Sequence, residues 1–585
     1  MPFYIIIFII FQKNILYKHI FMKKVVIIGG GVAGLSAAHE LIKRGFKVEV
    51  YEASSCVGGK ARSLGVPGSG KDGRMDLPGE HGFRFFPRFY KHVTETMKEI
   101  PFKGNSNGVL GNLTETSQIK LARFDKEPVT MPARLPRSLS EFKKYLDDSL
   151  NSDLGLTEKD KADFALKIWE LLTSCRERRR NEYERMGWWE FLDSDNHSIA
   201  YQTIFSKGLT RTLVAARAET ASTKTGGNIF LQLLFDVASP GTSSDRILNA
   251  PTNDAWINPW LSYLKDKGVE FHLNSPTKYV NCKDQSISSI SISKNGVDEI
   301  ITADYYLFAV PVEVMSNLLT DEMVKIDPTL YTIKELSNSV SWMNGAQFYL
   351  TEDLQINHGH TIYIDTPWAL TSISQKQFWP TIDLSKYGDG TIKGILSIDI
   401  SDWDSIGILY NKSAKDCTKE EIIKEIWTQL KKSLNINGVI ILKDEHLHDW
   451  YLDSDIEFDI PKKNKEPLLV NTINSWDLRP YSYTRIPNMF LASDYVKTYT
   501  DLATMEGANE AARRAVNCIL DSSGVKAKKC KIWDLHEPWI FSFFRRADQK
   551  RYRKGLAWNI KIPWLMSFSI HILLTIKNLF SHKKK

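Results

Sequence analysis

Apolar and polar positions change period along this chain. After Lys24 the run VVII predicts a buried strand, a Gly-rich turn comes next, and apolar residues at helical spacing predict an amphipathic helix ending at Gly45. The alternation in KVEVY then predicts a second strand ending at Glu52, which completes one βαβ unit. The stretch 256–319 reads as a helix, a turn at Gly268, alternating strands and a buried strand ending at Ala309. Near the far end, MFL (489–491) predicts a strand, with a turn and a helix beginning close to Met505. Between these pieces, 91–250 reads as largely helical, for example over KADFALKIWELLTSCRERRRNEY, whereas 321–479 alternates like strands of a mixed sheet.

A length of 585 residues exceeds one compact core, and a 43% hydrophobic, 25% charged composition is that of an ordinary folded protein. The six cysteines form no CxxC pair, which argues against a disulfide framework or a zinc site and for a reducing compartment. No metal is expected either at the His-x-His pairs, His358 with His360 and His446 with His448, because neither has a third ligand at diagnostic spacing. The net charge of +7 is unevenly placed: 526–585 carries 15 Lys or Arg against Asp534, Glu537 and Asp548, so the rest of the chain is net acidic. Aromatic residues among those bases, and the uncharged run 562–576, predict an interfacial segment at a membrane surface rather than a nucleic-acid site. The alternative is a C-terminal helix docked on the protein's own surface. The RERRR run (176–180) reads as a solvated helix end. The nine apolar residues 3–11 are too few to cross a bilayer, which takes about 20. As part of the native protein, 1–21 would be a surface anchor.

The first βαβ unit carries the clearest chemistry. Gly29 permits a tight turn, Gly31 lets backbone approach a pyrophosphate, and Gly34 lets the helix pack closely on the strand, with Val32 and Ala33 at the helix N-terminus. Glu52, followed by Ala53, ends the second strand 18 residues after Gly34, where a carboxylate accepts hydrogen bonds from a ribose and repels a 2′-phosphate. This much marks a dinucleotide site without separating FAD from NAD.

Three further segments separate the two cofactors. CVGGKARS (56–63), GEHGFRFF (79–86) and LASDYVKTYTDLATMEGA (491–508) resemble motifs of the flavin-dependent amine oxidase and phytoene desaturase superfamily, most closely plant-type carotene desaturases and hydroxysqualene dehydroxylase-like proteins. The resemblance covers about a third of the chain, in three pieces. It implies FAD as cofactor, with Gly58, Gly59 and Lys60 against the diphosphate, Arg62 as a second cation, and His81 and Gly82 beside the flavin. It further implies Val280 at the adenine end, Ala309 to Pro311 closing on the dinucleotide, Asp494 at the ribityl and phosphate region, and Met505, Glu506 and Gly507 capping the flavin. Three departures from the family pattern stand out: two extra residues between His81 and the Phe85–Phe86 pair, Ser493 in place of a glycine, and one extra residue between Asp494 and Met505.

The expected architecture is therefore α/β: a split Rossmann-type FAD-binding domain (22–90, 251–320 and 480–522), an inserted α+β substrate domain (91–250 and 321–479), and an amphipathic membrane-associating tail (523–585). The resemblance implies hydride transfer from a lipophilic isoprenoid substrate, carotenoid or squalene-type, to flavin N5 at the cytoplasmic face of a membrane, with quinone or oxygen as electron acceptor. Amine oxidation is the alternative, although TYTDLAT before Glu506 differs from the Trp-x-x-Gly-Tyr type common in amine oxidases. A non-catalytic membrane flavoprotein is a third reading. No acid or base is singled out by the sequence.

Overall fold

The computed structural model describes residues 22–134, 154–208, 210–211, 216–239, 243–294 and 296–563. The extension 1–21 and most of the apolar run 562–576 lie outside the described residues.

A five-stranded parallel sheet is ordered Met489–Leu491, Tyr305–Phe308, Lys24–Ile28, Lys47–Tyr51, Glu270–His272. Parallel strands are covered on both faces, which is why the sequence shows unbroken apolar runs here. Val25 and Ile27 face one core cluster, against the helices Val32–Ile42 and Met505–Ser523. Val26 and Ile28 face a second, under the antiparallel strands Thr277–Lys283, Ser286–Lys294 and Val297–Ile301. Each of these four side chains is almost fully buried, at about 1.5–3 kcal/mol apiece. The two helices are tied by Asn509, whose amide donates to Ser36 Oγ at 2.8 Å. Thr504 caps the second helix by accepting from Gly507 N–H, and Gly524, at φ +68°, ends it.

A seven-stranded mixed sheet forms the second layer, ordered Leu447–Leu452, Asn344–Leu350, Gly394–Ile400, Leu370–Ser374, Thr361–Tyr363, Gln118–Arg123, Lys126–Pro132. The described part of 91–250 is largely helical, as expected, but its strands Gln118–Arg123 and Lys126–Pro132 add to a sheet whose other strands lie more than 200 residues later, a pairing no local pattern announces. The alternation of the central strands divides the faces. Phe348, Leu396, Ile398 and Ile400 enter a core closed by the helix Lys419–Leu434, while Gln347, Ser397 and Asp399 point the other way.

The tail also departs from expectation where it is described. Residues 533–563 dock on the helices Glu158–Thr173 and Arg176–Asn181. The RERRR run is only partly solvated: Arg176 and Arg180 are exposed, but Arg178 and Arg179 are buried, Arg178 on Asp548 at 2.9 Å and Arg179 on Glu537 at 2.8 Å. Cys175 N–H also donates to Asp548, and Trp169 and Trp558 contribute indole N–H bonds across the contact. Basic residues that look like a helix end in sequence have their acids some 360 residues away. The helix Ser542–Tyr552 turns Phe544 and Asp548 inward and Phe543, Arg546 and Lys550 outward. Among the described residues no helix is long and apolar enough to cross a membrane.

Candidate functional site

Three parallel strands end at one edge of the five-stranded sheet, and the turn after Lys24–Ile28 opens there. Gly29 holds φ +101°, and a Cβ on it would sit 2.5 Å from the Ala309 carbonyl, so only glycine fits. A Cβ on Gly34 would lie 2.0 Å from the Gly29 carbonyl, which measures how closely helix and turn are packed. Gly31 differs: the nearest atom to its Cβ position is Gly59 Cα at 3.7 Å, so its open side faces the cavity. Gly58 and Gly59 form the facing wall, with Gly58 N–H donating to the Gly30 carbonyl. The N–H groups at the start of Val32–Ile42 meet this gap with the positive end of the helix dipole, a setting that suits a diphosphate. Glu52 accepts from Gly30 N–H at 2.6 Å on one oxygen and Ser54 N–H at 2.8 Å on the other, so its position is fixed with lone pairs left over.

The resulting cavity is about 450 Å³ and continues from the sheet edge to the polar face of the seven-stranded sheet. Its far end is charged. Arg84 donates to the carbonyls of Lys60, Gly82 and Phe83. His81 Nδ1 lies 2.7 Å from Asp453 and 3.5 Å from Asp455. Burial opposes its protonation, but those carboxylates overcome it and raise His81 to about 9. These three side chains lie close enough to frame a cation, yet a protonated imidazole has no free lone pair, and Arg62 already neutralises Asp455; the group is an ion-pair network. Burial pushes Glu80 up to about 7 despite Arg84 and the Thr252 hydrogen bonds, and Asp399 up to about 6 despite Arg84 and His81.

The family model for flavin-containing amine oxidoreductases matches residues 32–520. The chain belongs to this family. It is accordingly a flavin-dependent oxidoreductase. Among similar proteins, hydroxysqualene dehydroxylase of Zymomonas mobilis is 23% identical over 507 residues, covering 85% of this chain and 99% of the relative. Zeta-carotene desaturase of Arabidopsis thaliana is 23% identical over 560 residues, 85% of each chain. A structure of putrescine oxidase bound to putrescine superposes with TM-score 0.58 over 86% of this chain and 99% of that one at 13% identity, a likeness of fold.

Within this flavoenzyme cavity the structure brings together Gly29, Gly31, Val32, Ala33, Glu52, Ala53, Gly58, Gly59, Lys60, His81, Gly82, Asp494 and Met505, with Ala309 to Pro311 in the wall. Gly34 acts behind it, through packing. Four expected contacts lie elsewhere, one of them Gly507, which is buried in the helix Met505–Ser523 and not in the cavity wall. Arg62 turns to Asp455, 2.7 Å away, and to Glu466. Val280 is 1% exposed in the core under the antiparallel strands, and the 275–277 turn takes the wall position instead. Glu506 points away from the cavity, with its carboxylate over the N-terminus of His92–Glu99, accepting from the N–H groups of Lys91, His92 and Val93. Lys60 does line the cavity, but its ammonium is held by the Pro467 carbonyl near Glu313. Sequence reasoning missed Arg84, Asp399 and Asn471. Arg84 sits inside GEHGFRFF, and Asp399 is a lone acid in the apolar strand GILSIDI, a signal that was there to use.

Proposed function

We propose that this flavoenzyme binds FAD across the cavity and oxidises a lipophilic isoprenoid substrate taken from a membrane surface. The observation that carries the reading is the wall between cradle and charged end, where Phe85, Phe89, Tyr90, Ile229, Leu233 and Met343 offer apolar surface to a long hydrocarbon. The helix N-terminus with Gly29, Gly31, Gly58 and Gly59 holds the diphosphate, Glu52 the ribose, and Asp494 the ribityl side. Bound FAD supplies a two-electron acceptor at N5. The chain's own part is to hold the substrate carbon in place and keep water out. Quinone or oxygen then reoxidises the cofactor.

The outer face of the docked tail supports the membrane part. Trp539, Ile540 and Phe543 are 81%, 55% and 73% exposed beside Arg546 and Lys550, which is the mixture favoured at a lipid headgroup layer. Relatives named for squalene-type and carotene substrates support the isoprenoid part.

The test is an absorbance spectrum of purified protein followed by anaerobic incubation with phytoene or zeta-carotene in liposomes. Oxidised-flavin absorbance near about 450 nm, bleached by one of these lipids and not by amines, is the expected result. Bleaching by amines alone would replace this function with amine oxidation.

A further inference from the structure

We propose that Asp399 is the proton acceptor of the oxidation carried out in this cavity, an inference that rests on the isoprenoid-oxidation reading. Asp399 stands on the central strand Gly394–Ile400, whose even-numbered neighbours Leu396, Ile398 and Ile400 are committed to the core. It is 8% exposed, lines the cavity, and its Oδ1 has no hydrogen-bond partner. A buried carboxylate oxygen left unpaired costs free energy that proteins ordinarily avoid, and such atoms mark sites of chemistry.

The other acids that line or adjoin the cavity have partners, Asp494 with Ser493 and Glu466 with Arg62 among them, except Glu313, whose Oε1 likewise has no hydrogen-bond partner but which does not line the wall. Glu80 accepts from Thr252, Asp453 and Asp455 face His81 and Arg62, and Glu52 holds two backbone N–H groups. Among the described residues Asp399 accepts from the Phe83 N–H alone and is faced by Arg84 and His81 on the 80–90 segment and by His360, which is itself held at 2.5 Å by Asp245. Oδ1 is itself buried against Gly82, where a Cβ would lie 2.5 Å from it, so only glycine leaves the carboxyl room at the cavity wall. The carboxyl titrates near 6, so at neutral pH it is ionised yet basic enough to hold a proton.

Converting a saturated carbon pair to an alkene breaks two C–H bonds. One hydrogen leaves with its electron pair to the flavin as oxidant. The electron pair of the other C–H bond becomes the π bond, and its proton is taken up by the Asp399 carboxylate as an O–H bond and lost to solvent after the product leaves. Both electrons and both hydrogens are then accounted for.

The experiment compares FAD-loaded wild type, Asp399→Asn and Asp399→Glu. Without substrate, the wild-type flavin absorbance should show a pH step with a midpoint near 6 that Asp399→Asn abolishes and Asp399→Glu shifts. With an isoprenoid in liposomes, the anaerobic bleaching rate should rise through the same pH in wild type and fall by about 10²-fold or more, without that rise, in Asp399→Asn. A wild-type step unchanged in Asp399→Asn, or equal bleaching rates from pH 5 to 8, overturns the assignment. A step present and abolished as expected, in an enzyme that no isoprenoid bleaches, supports the proton site and overturns the substrate reading instead.

Discussion

Replacing Glu506 tests which of two jobs this residue does. Its carboxylate, 2% exposed, accepts from Lys91 N–H at 2.7 Å, His92 N–H at 2.8 Å and Val93 N–H at 2.9 Å, and stands 2.7 Å from His92 Nδ1. His92 Nε2 accepts from Trp533 N–H, which leaves Nδ1–H as the donor toward Glu506. One carboxylate thus satisfies three orphan donors of a helix start and an imidazole. Glu506→Gln keeps one acceptor oxygen and puts an amide N–H among donors, a loss of about 2–4 kcal/mol once water has partly refilled the site. Hydrogen exchange of the FAD-loaded protein should therefore show the amides of 91–97 exchanging about 30- to 1000-fold faster, with FAD affinity changed by less than about threefold. Unchanged exchange with FAD affinity weakened tenfold would put the carboxylate on the cofactor and refute the argument.

Gly31→Ala should fold normally yet lose FAD, because its Cβ meets open cavity, whereas Gly34→Ala should lower the unfolding temperature as well, its Cβ falling 2.0 Å from a carbonyl; flavin content and thermal unfolding separate the two. Asp548→Ala leaves the buried Arg178 with Glu182 as its remaining acid, at a cost of about 1–3 kcal/mol, and should make 545–554 more readily cleaved by trypsin, while the pair Arg178→Met with Asp548→Leu restores most of the resistance. His81, raised to about 9, contributes stability fully present below 6.5 and lost as pH rises to 9, on the order of 3 kcal/mol; Glu80 and Asp399, also raised, act in the same direction. Thermal unfolding should accordingly fall from pH 6 to 9, less steeply in His81→Gln, and a flat profile would contradict the His81–Asp453 pairing. Trp539→Ser with Phe543→Ser should reduce co-sedimentation with anionic vesicles while leaving flavin content unchanged; equal sedimentation would remove the tail from the membrane reading.

The part of the site legible in the sequence is local backbone chemistry. Gly29, Gly31 and Gly34 are readable because the turn's demands fall on consecutive residues, and Glu52 because a strand end comes after a helix at fixed length. Motif resemblance pointed to His81 and Gly82, and both line the cavity. It failed at Arg62 and Glu506, where a charged side chain chooses among partners far along the chain: Asp455 lies 393 residues from Arg62, and the helix that Glu506 caps begins some 414 residues before it. Val280 failed differently, since its side chain alternates into the core while the wall is made by the turn before it.

The same contrast governs the tail. Summed charge describes 526–585 as a basic segment in search of an anionic surface, but the sum conceals that its three acids, Asp534, Glu537 and Asp548, each meet an arginine of 176–179. Docking uses the acids and one face of the helix Ser542–Tyr552, and it leaves Phe543, Arg546 and Lys550 together on the other. A segment that holds itself to the protein through its few carboxylates presents its bases and exposed aromatics outward on a fixed platform. Self-docking and membrane contact, alternatives when only the sequence is considered, are compatible once the two faces of that helix are distinguished.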